Sequence, residues 1–186
     1  MFIRSERLFL RPGWPEDWTE ILTQIADEAV LRNLTQVPFP YTADDARAFA
    51  AMPQDPRHPH FLITLPTAEG VRTIGCIGFK PGKTGAELGY WIGRDHWGQG
   101  YASESVRAAL AVARALGHRR IHARHFADNP ASGRVLRKAG FCATGTVENC
   151  TSAARGGPAP TVTLSLVLGE PGNCDDGNGM MRKRAA

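Results

Sequence analysis

The feature that most constrains this chain is the run WIGRDHWGQGYASESVRAALAVARALG, from Trp91 to Gly117. An apolar run ending at Ile92 meets an alanine-rich amphipathic run beginning at Tyr101, and Gly93, Gly98 and Gly100 crowd the junction. Glycine costs conformational entropy wherever it is not needed, so something must come close to this backbone. A strand, a Gly-x-Gly turn and a helix together form a grip for phosphate. Amides at the turn and helix start lack partners and point outward, the helix dipole adds partial positive charge, and glycine lets an anion touch the main chain. The pattern points to a phosphate, a diphosphate in particular, while a tight turn with nothing bound satisfies the same spacing. Two other nucleotide fingerprints fail. A dinucleotide motif needs a third glycine where Ser103 stands. The GKT at Gly82–Thr84 has Ile77 where a Walker A loop needs glycine, and a strand follows it.

Around this junction the chain reads as one α/β domain. Glu6–Pro12 alternates as a strand, and a helix is expected from Pro15 to Leu34, with Pro15 and acidic residues at its start. Thr42 and Asp45 form an imperfect capping box for a short second helix, which ends before the Pro/His-rich loop from Pro53 to Pro59. HFLITL, TIGCIGFK and AELGYWIG read as strands. The helix from Tyr101 puts Ala102, Val106, Ala109, Leu110, Ala113 and Leu116 on one face, and Gly117 stops it. RIHARHF is a strand, Asn129 caps a helix that ends at Gly140, and FCATGTV and TVTLSLVL are the last strands, separated by a loop around Ala153–Pro160. The order βααβββαβαββ implies a mixed sheet with helices on both faces. Residues 1–168 form the expected domain, and from Gly169 on the chain has the composition of a disordered tail.

Composition bounds the remaining classes. A length of 186 residues suits one domain with a real core. The charged N-terminus lacks the apolar core of an export signal and no apolar stretch is long enough to span a bilayer, so a cytoplasmic location and no membrane partner are expected. Cys76, Cys142, Cys150 and Cys174 show no C-x-x-C pairing, which predicts free thiols. From Arg94 to Lys138 there are nine basic residues against three acids, a larger excess than the whole chain's +4. That suits an anionic ligand, or a solvated basic surface. His122 and His125 fall on opposite faces of a strand with His118 beyond a turn, so no metal site is expected. Trp14, Trp18 and Trp91 read as core, His96 beside Trp97 as loop surface. Nothing interleaves aromatic and basic residues as a nucleic-acid surface would.

ELGYWIGRDHWGQGYASE, followed by DNPASGRVLRKAGF and preceded by ERLFLRPGWPEDW, resembles the GNAT superfamily of acetyl-CoA-dependent N-acetyltransferases, in particular its RimJ/RimL-like group. The resemblance runs from about Glu6 to Leu168. It implies the GNAT acyl-CoA N-acyltransferase fold: a mixed sheet, splayed between its fourth and fifth strands, with the pantetheine arm of coenzyme A in the gap. It further implies that Trp91, Ile92 and Gly93 pair with pantetheine and that Gly98, Gln99, Gly100, Tyr101 and Ala102 offer amides to the pyrophosphate. The family motif has Gln or Arg three residues before the first of these glycines. Asp95 stands there instead, with Arg94 beside it as a substitute source of charge.

Acetyl transfer from a thioester to an amine needs a base for the ammonium, a donor for charge developing on the thioester oxygen and a proton or hydrogen bond for the leaving thiolate. The resemblance implies Glu87 as the base; a Glu that merely pairs with a basic neighbour reads equally well. The amide near Ile92 is the expected oxyanion donor. No tyrosine follows Tyr101, so the tyrosine acid of many relatives is absent. The N-x-x-S run Asn129–Ser132 matches the RimL-like type instead, with Ser132 at the coenzyme sulfur and Asn129 capping the helix and orienting pantetheine. The expected reaction is direct acetyl transfer to a primary amine, a protein N-terminus or a small molecule, by a monomer or homodimer with no nucleic-acid partner. A non-catalytic acyl-CoA sensor of the same fold is the alternative. Acceptor loops are expected in the helix pair before Pro53, at Pro53–His60 and at Ala153–Pro160, where Arg155 could meet a carboxylate.

Overall fold

Alternating apolar residues build a single sheet, and two groups of helices cover its faces. The computed structural model describes residues 1–82 and 84–169. In chain order it contains β1 (Ile3–Arg4), β2 (Phe9–Arg11), α1 (Trp18–Ile25), α2 (Glu28–Leu31), α3 (Ala43–Ala50), β3 (His60–Thr67), β4 (Gly70–Gly82), β5 (Gly85–Ile92), α4 (Tyr101–Ala115), β6 (Arg120–Phe126), α5 (Pro130–Lys138), β7 (Cys142–Ser152) and β8 (Gly157–Val167). The eight strands run β1-β2-β3-β4-β5-β6-β8-β7. Among the described residues β5 and β6 are the one parallel pair; the other neighbours are antiparallel. This is the mixed α/β architecture expected. An extra N-terminal strand makes the expected fourth and fifth strands β5 and β6.

Strand periodicity sorts the core. Leu88, Tyr90 and Ile92 of β5 face one side, with Val106, Ala109, Leu110 and Ala113 of α4 and Leu136 of α5. Leu62, Cys76 and Trp91 face the other, against Ile21 and Ile25 of α1, Val30 and Leu31 of α2, and Ala46 and Ala50 of α3. Among the described residues no helix is long and apolar enough to cross a membrane.

Four expectations need correction. The helix foreseen from Pro15 to Leu34 is broken: a 3-10 turn at Pro15–Asp17 leads into α1, and α2 restarts after Asp27, whose Oδ1 accepts the Ala29 amide at 2.7 Å. That local bond competes with continued helix. Ala153–Pro160 is mostly strand: only Ala153–Arg155 form a 3-10 turn, and Gly156 reverses the chain at φ 70°. Pro158 and Pro160 sit where β8 has β7 on one side and has not yet met β6, which begins pairing at Phe126↔Thr161, so their missing N–H groups break no ladder. Trp14 is 48% exposed rather than core, its ring 4.0 Å beneath the Arg11 guanidinium. Cys76 and Cys150 are free, but Cys142 is disulfide-bonded. The expected tail beyond Gly169 lies outside the described residues.

Helix punctuation follows the sequence. Thr42 and Asp45 close a reciprocal capping box, with the Thr42 amide donating to Asp45 Oδ2 at 2.8 Å and the Asp45 amide to Thr42 Oγ1 at 3.3 Å. At the end of α4, Gly117 takes φ 79°, and the His118 and Gly117 amides donate to the Ala113 and Arg114 carbonyls, each at 3.0 Å. That is the Schellman arrangement, which requires a left-handed residue where Gly117 stands.

Candidate active site

The sheet opens between β5 and β6. Their pairing consists of Ala86↔Ile121, Glu87↔His122 and Leu88↔Ala123. Beyond Leu88, β5 keeps its β4 partners through Gly75↔Ile92, while β6 turns to β8 alone at Arg124↔Thr163 through Phe126↔Thr161. Gly89–Ile92 therefore present one unpaired edge to a wedge-shaped gap. A Cβ on Gly89 would meet nothing within 4 Å, so the sheet face that Gly89 shares with Glu87 is open beside the gap.

The glycines at the junction have different reasons. Gly93 is fixed from within the protein: a Cβ there would collide with Gln24 Oε1 of α1, and its own amide donates to the Ile74 carbonyl at 2.8 Å. Gly98 (φ 74°) and Gly100 (φ 84°) need the left-handed region, and around Gly98 nothing lies within 4 Å of a would-be Cβ. Gly100 is the residue before α4, so the first amides of this 15-residue helix open onto the end of the gap. Trp97 closes the turn, its indole N–H donating to the Ile92 carbonyl at 2.6 Å. Gln99 Nε2 donates to the Asp95 carbonyl at 3.1 Å. Arg94 is paired with Asp27 at 3.3 Å. Tyr101 is buried and Ala102 packs on the same core, its carbonyl accepting from Ser105 Oγ.

Across the gap stands α5. Asn129 Oδ1 accepts the Ser132 amide at 3.1 Å, so the expected cap forms. The Ser132 hydroxyl is 2.8 Å from the hydroxyl of Tyr90, and the two are hydrogen-bonded. Tyr90 belongs to the free-edged part of β5 and reaches α5 over the opening. Burial pushes its phenol up to about 12, with the Ser132 hydrogen bond acting the other way, so it keeps its proton at neutral pH. Sequence reasoning missed this residue by seeking a tyrosine only after Tyr101. The signal available was its position on the same strand face as Leu88 and Ile92.

Glu87, with Gly89 and Trp91, points to the opposite face. Arg124 grips it with Nε at 3.3 Å and Nη2 at 3.0 and 2.9 Å, and Lys80 Nζ lies 3.2 Å away. It is thus a paired carboxylate. Arg124 also approaches Cys150 Sγ at 3.5 Å and Glu148 at 3.9 Å, and Lys80 donates to Gln36. These side chains make a charged floor between the α1–α3 side and the β7–β8 hairpin. The hairpin tip is fastened down: Arg155 does meet a carboxylate, but an internal one, binding Asp128 at 2.9 and 2.8 Å while its Nε donates to the Arg32 carbonyl and its guanidinium lies over Phe126. Arg155 hydrogen bonds hold the Asp128 carboxyl below its ordinary range. His118 bonds the Arg57 carbonyl at 2.7 Å and stacks near His58 and Phe79; no group of three or more metal-type side chains assembles among the described residues.

The family model of the acetyltransferase (GNAT) domain matches residues 7–142. The chain belongs to the GNAT acetyltransferase family. It is an N-acetyltransferase with acetyl-CoA as cosubstrate. It is 31% identical over 172 residues, 89% of this chain and 96% of the other, to the uncharacterized N-acetyltransferase YoaA of Bacillus subtilis. Among solved structures, a GNAT acetyltransferase from Bacillus anthracis superposes with a TM-score of 0.76 at 25% identity, covering 90% of this chain and 98% of that one. RimL, the ribosomal L7/L12 alpha-N-protein acetyltransferase solved with coenzyme A, superposes at 0.72 with 20% identity over 90% of this chain and 98% of its own. The ribosomal-protein-serine acetyltransferase of Escherichia coli is 34% identical to this GNAT protein over 79 residues, 40% of this chain and 44% of that one.

Proposed function

We propose that this GNAT protein transfers acetyl directly from acetyl-CoA to a primary amine, without an acyl-enzyme intermediate. The observation carrying this reading is the gap: a free strand edge, Gly89–Ile92, leading to a left-handed glycine turn at the head of α4. The pantetheine arm lies along the free edge that ends at Trp91 and Ile92, while Gly93, whose amide is spent on the Ile74 carbonyl and whose carbonyl accepts the His96 amide, shapes the end of that edge without pairing with the ligand. Amides from Gly98 to Ala102 receive the pyrophosphate, helped by the α4 dipole.

The reaction is balanced by three groups. The amine lone pair attacks the thioester carbon, and the amide at Ile92 stabilises the oxyanion. As the C–S bond breaks, Ser132 gives a hydrogen bond or proton to the thiolate sulfur, and Tyr90, protonated and pointing at Ser132, keeps that hydroxyl oriented and resupplied. The acceptor approaches over the Glu87 face. Glu87 takes the ammonium proton through water, or serves with Lys80 and Arg124 to orient the acceptor while solvent water takes that proton; the ion pairs favour the second role. Glu87→Gln separates them, since losing a base lowers kcat and losing an orienting charge raises the acceptor's KM.

The acceptor class that suits an open, charged floor is a flexible primary amine. A protein N-terminus, as its RimL neighbour's description states for that protein, or a small-molecule amine fits this description. The reaction is assigned to the cytoplasm. The test is thiol release from acetyl-CoA with a panel of peptides, aminoglycosides, polyamines and amino acids. Turnover with at least one amine is expected. Gly100→Asp, which forces a side chain onto a left-handed φ of 84° and against Arg7, should distort the turn and weaken coenzyme A binding, and Ser132→Ala should lower kcat more than it alters the acetyl-CoA KM. Unchanged coenzyme A affinity in the first variant would remove the turn from the site; unchanged turnover in the second would remove the role at sulfur.

A further inference from the structure

We infer that Arg7 is a positioning residue that locks the Gly98–Gly100 turn in its phosphate-receiving conformation. The inference rests on the pyrophosphate reading given above. Arg7 lies far from the turn in sequence, in the reversal between β1 and β2, yet its guanidinium lies against α4. Nη1 donates to the Gln99 carbonyl at 3.0 Å, Nε donates to Glu104 Oε2 at 2.8 Å, and the guanidinium carbon stands 4.7 Å from the Tyr101 ring centroid. Nη2 is 3.4 Å from where a Cβ on Gly100 would sit. The backbone of Arg7 is anchored too, its amide donating to Glu104 Oε1 at 2.7 Å, where Ser5 Oγ also donates at 2.7 Å.

Peptide planarity turns these contacts into a conformational lock. The Gln99–Gly100 peptide is trans, so a carbonyl drawn towards Arg7 directs the Gly100 N–H the opposite way. The side of the turn away from Arg7 thus carries the Gly100 donor. A Gly-x-Gly turn has little intrinsic resistance to rotation of such a peptide, because glycine occupies both signs of φ. A bridge from Gln99 to the first turn of α4 removes that freedom.

The same bridge solves an electrostatic problem. Glu104 is 4% exposed and sits in the first turn of α4, beside the proposed phosphate site. An uncompensated carboxylate there would repel the ligand, and Arg7 neutralises it. The family's Gln or Arg position is Asp95 in this chain, and Arg94 is engaged with Asp27. Arg7 therefore supplies from outside the motif the order that the motif residue does not.

The decisive variant is Arg7→Lys. It keeps the charge beside Glu104, but a single ammonium cannot form the fork that reaches Glu104 and Gln99 together. Coenzyme A binding by calorimetry and steady-state kinetics are measured on the full chain, with acetyl-CoA and with S-acetylpantetheine, which lacks the phosphates. The expected result is a rise of about tenfold in the coenzyme A Kd, the scale of one lost charge-assisted hydrogen bond. kcat/KM for acetyl-CoA should fall in parallel and that for S-acetylpantetheine should stay unchanged. Wild-type affinity in Arg7→Lys, or equal losses with both thioesters, overturns the inference, the second because a general structural role would not distinguish them. Arg7→Gln with Glu104→Gln, which leaves no unpaired buried charge, gives the same split if the protein needs Arg7 for the turn. Failure of the wild-type protein to bind coenzyme A would instead bring down the pyrophosphate reading itself.

Discussion

Glu104 shows how much a single residue's role depends on what folds over it. On the helical face count it is a polar position of α4, yet the β1–β2 reversal covers it. Burial opposes its charge, but the Arg7 amide, Ser5 and the Arg7 side chain outweigh that and hold its carboxyl below the ordinary glutamate range. A carboxyl whose pKa is lower folded than unfolded stabilises the protein above its unfolded pKa, and the contribution is lost as pH falls through the folded one. Glu104→Gln should therefore flatten the acid side of the stability profile, with the urea midpoint of the variant falling less than that of wild type as pH is lowered from neutral. Gly93 gives a second lesson. Its neighbours in sequence suggested a ligand, but Gln24 demands it. Residue type announced a close approach; only the position of α1 named what approaches.

At the scale of elements, caps and stops were legible because their chemistry is local. The Thr42–Asp45 box, the Asn129 cap and the Gly117 stop use residues within a few positions of each other. The break between α1 and α2 was not legible, because apolar periodicity runs through it and only the Asp27 cap interrupts the helix. The length of β7 and β8 was hidden as well: the prolines near their tip read as loop until their edge position is known. The Asn129 cap couples stability to the proposed chemistry, since the amide it holds belongs to Ser132. Asn129→Ala should cost about 1 kcal/mol of stability, read from chemical denaturation, and should lower kcat beyond that effect by loosening Ser132 against Tyr90.

For the molecule as a whole, the gap is a place where sheet pairing is left unmade for a ligand to complete. A ligand that binds the folded form alone stabilises it by mass action. Coenzyme A at a hundred times its Kd should add about 2.7 kcal/mol, a rise of roughly 5–10 °C in Tm for a domain of this size, measured by calorimetry. Absence of any shift would contradict the fit of coenzyme A to the gap. The sequence by itself determined most of the strands, the helix caps and stops, the Gly-x-Gly turn before α4 and the family, since these depend on short-range backbone preference and on contiguous motifs. Tertiary structure alone decided that Arg7 braces that turn, that Tyr90 meets Ser132 across the opening, and that Glu87 and Arg155 are held by Arg124 and Asp128. Those contacts join residues separated by 27 to 92 positions. Their partners are selected by how strands and helices stack, a property that no local pattern encodes.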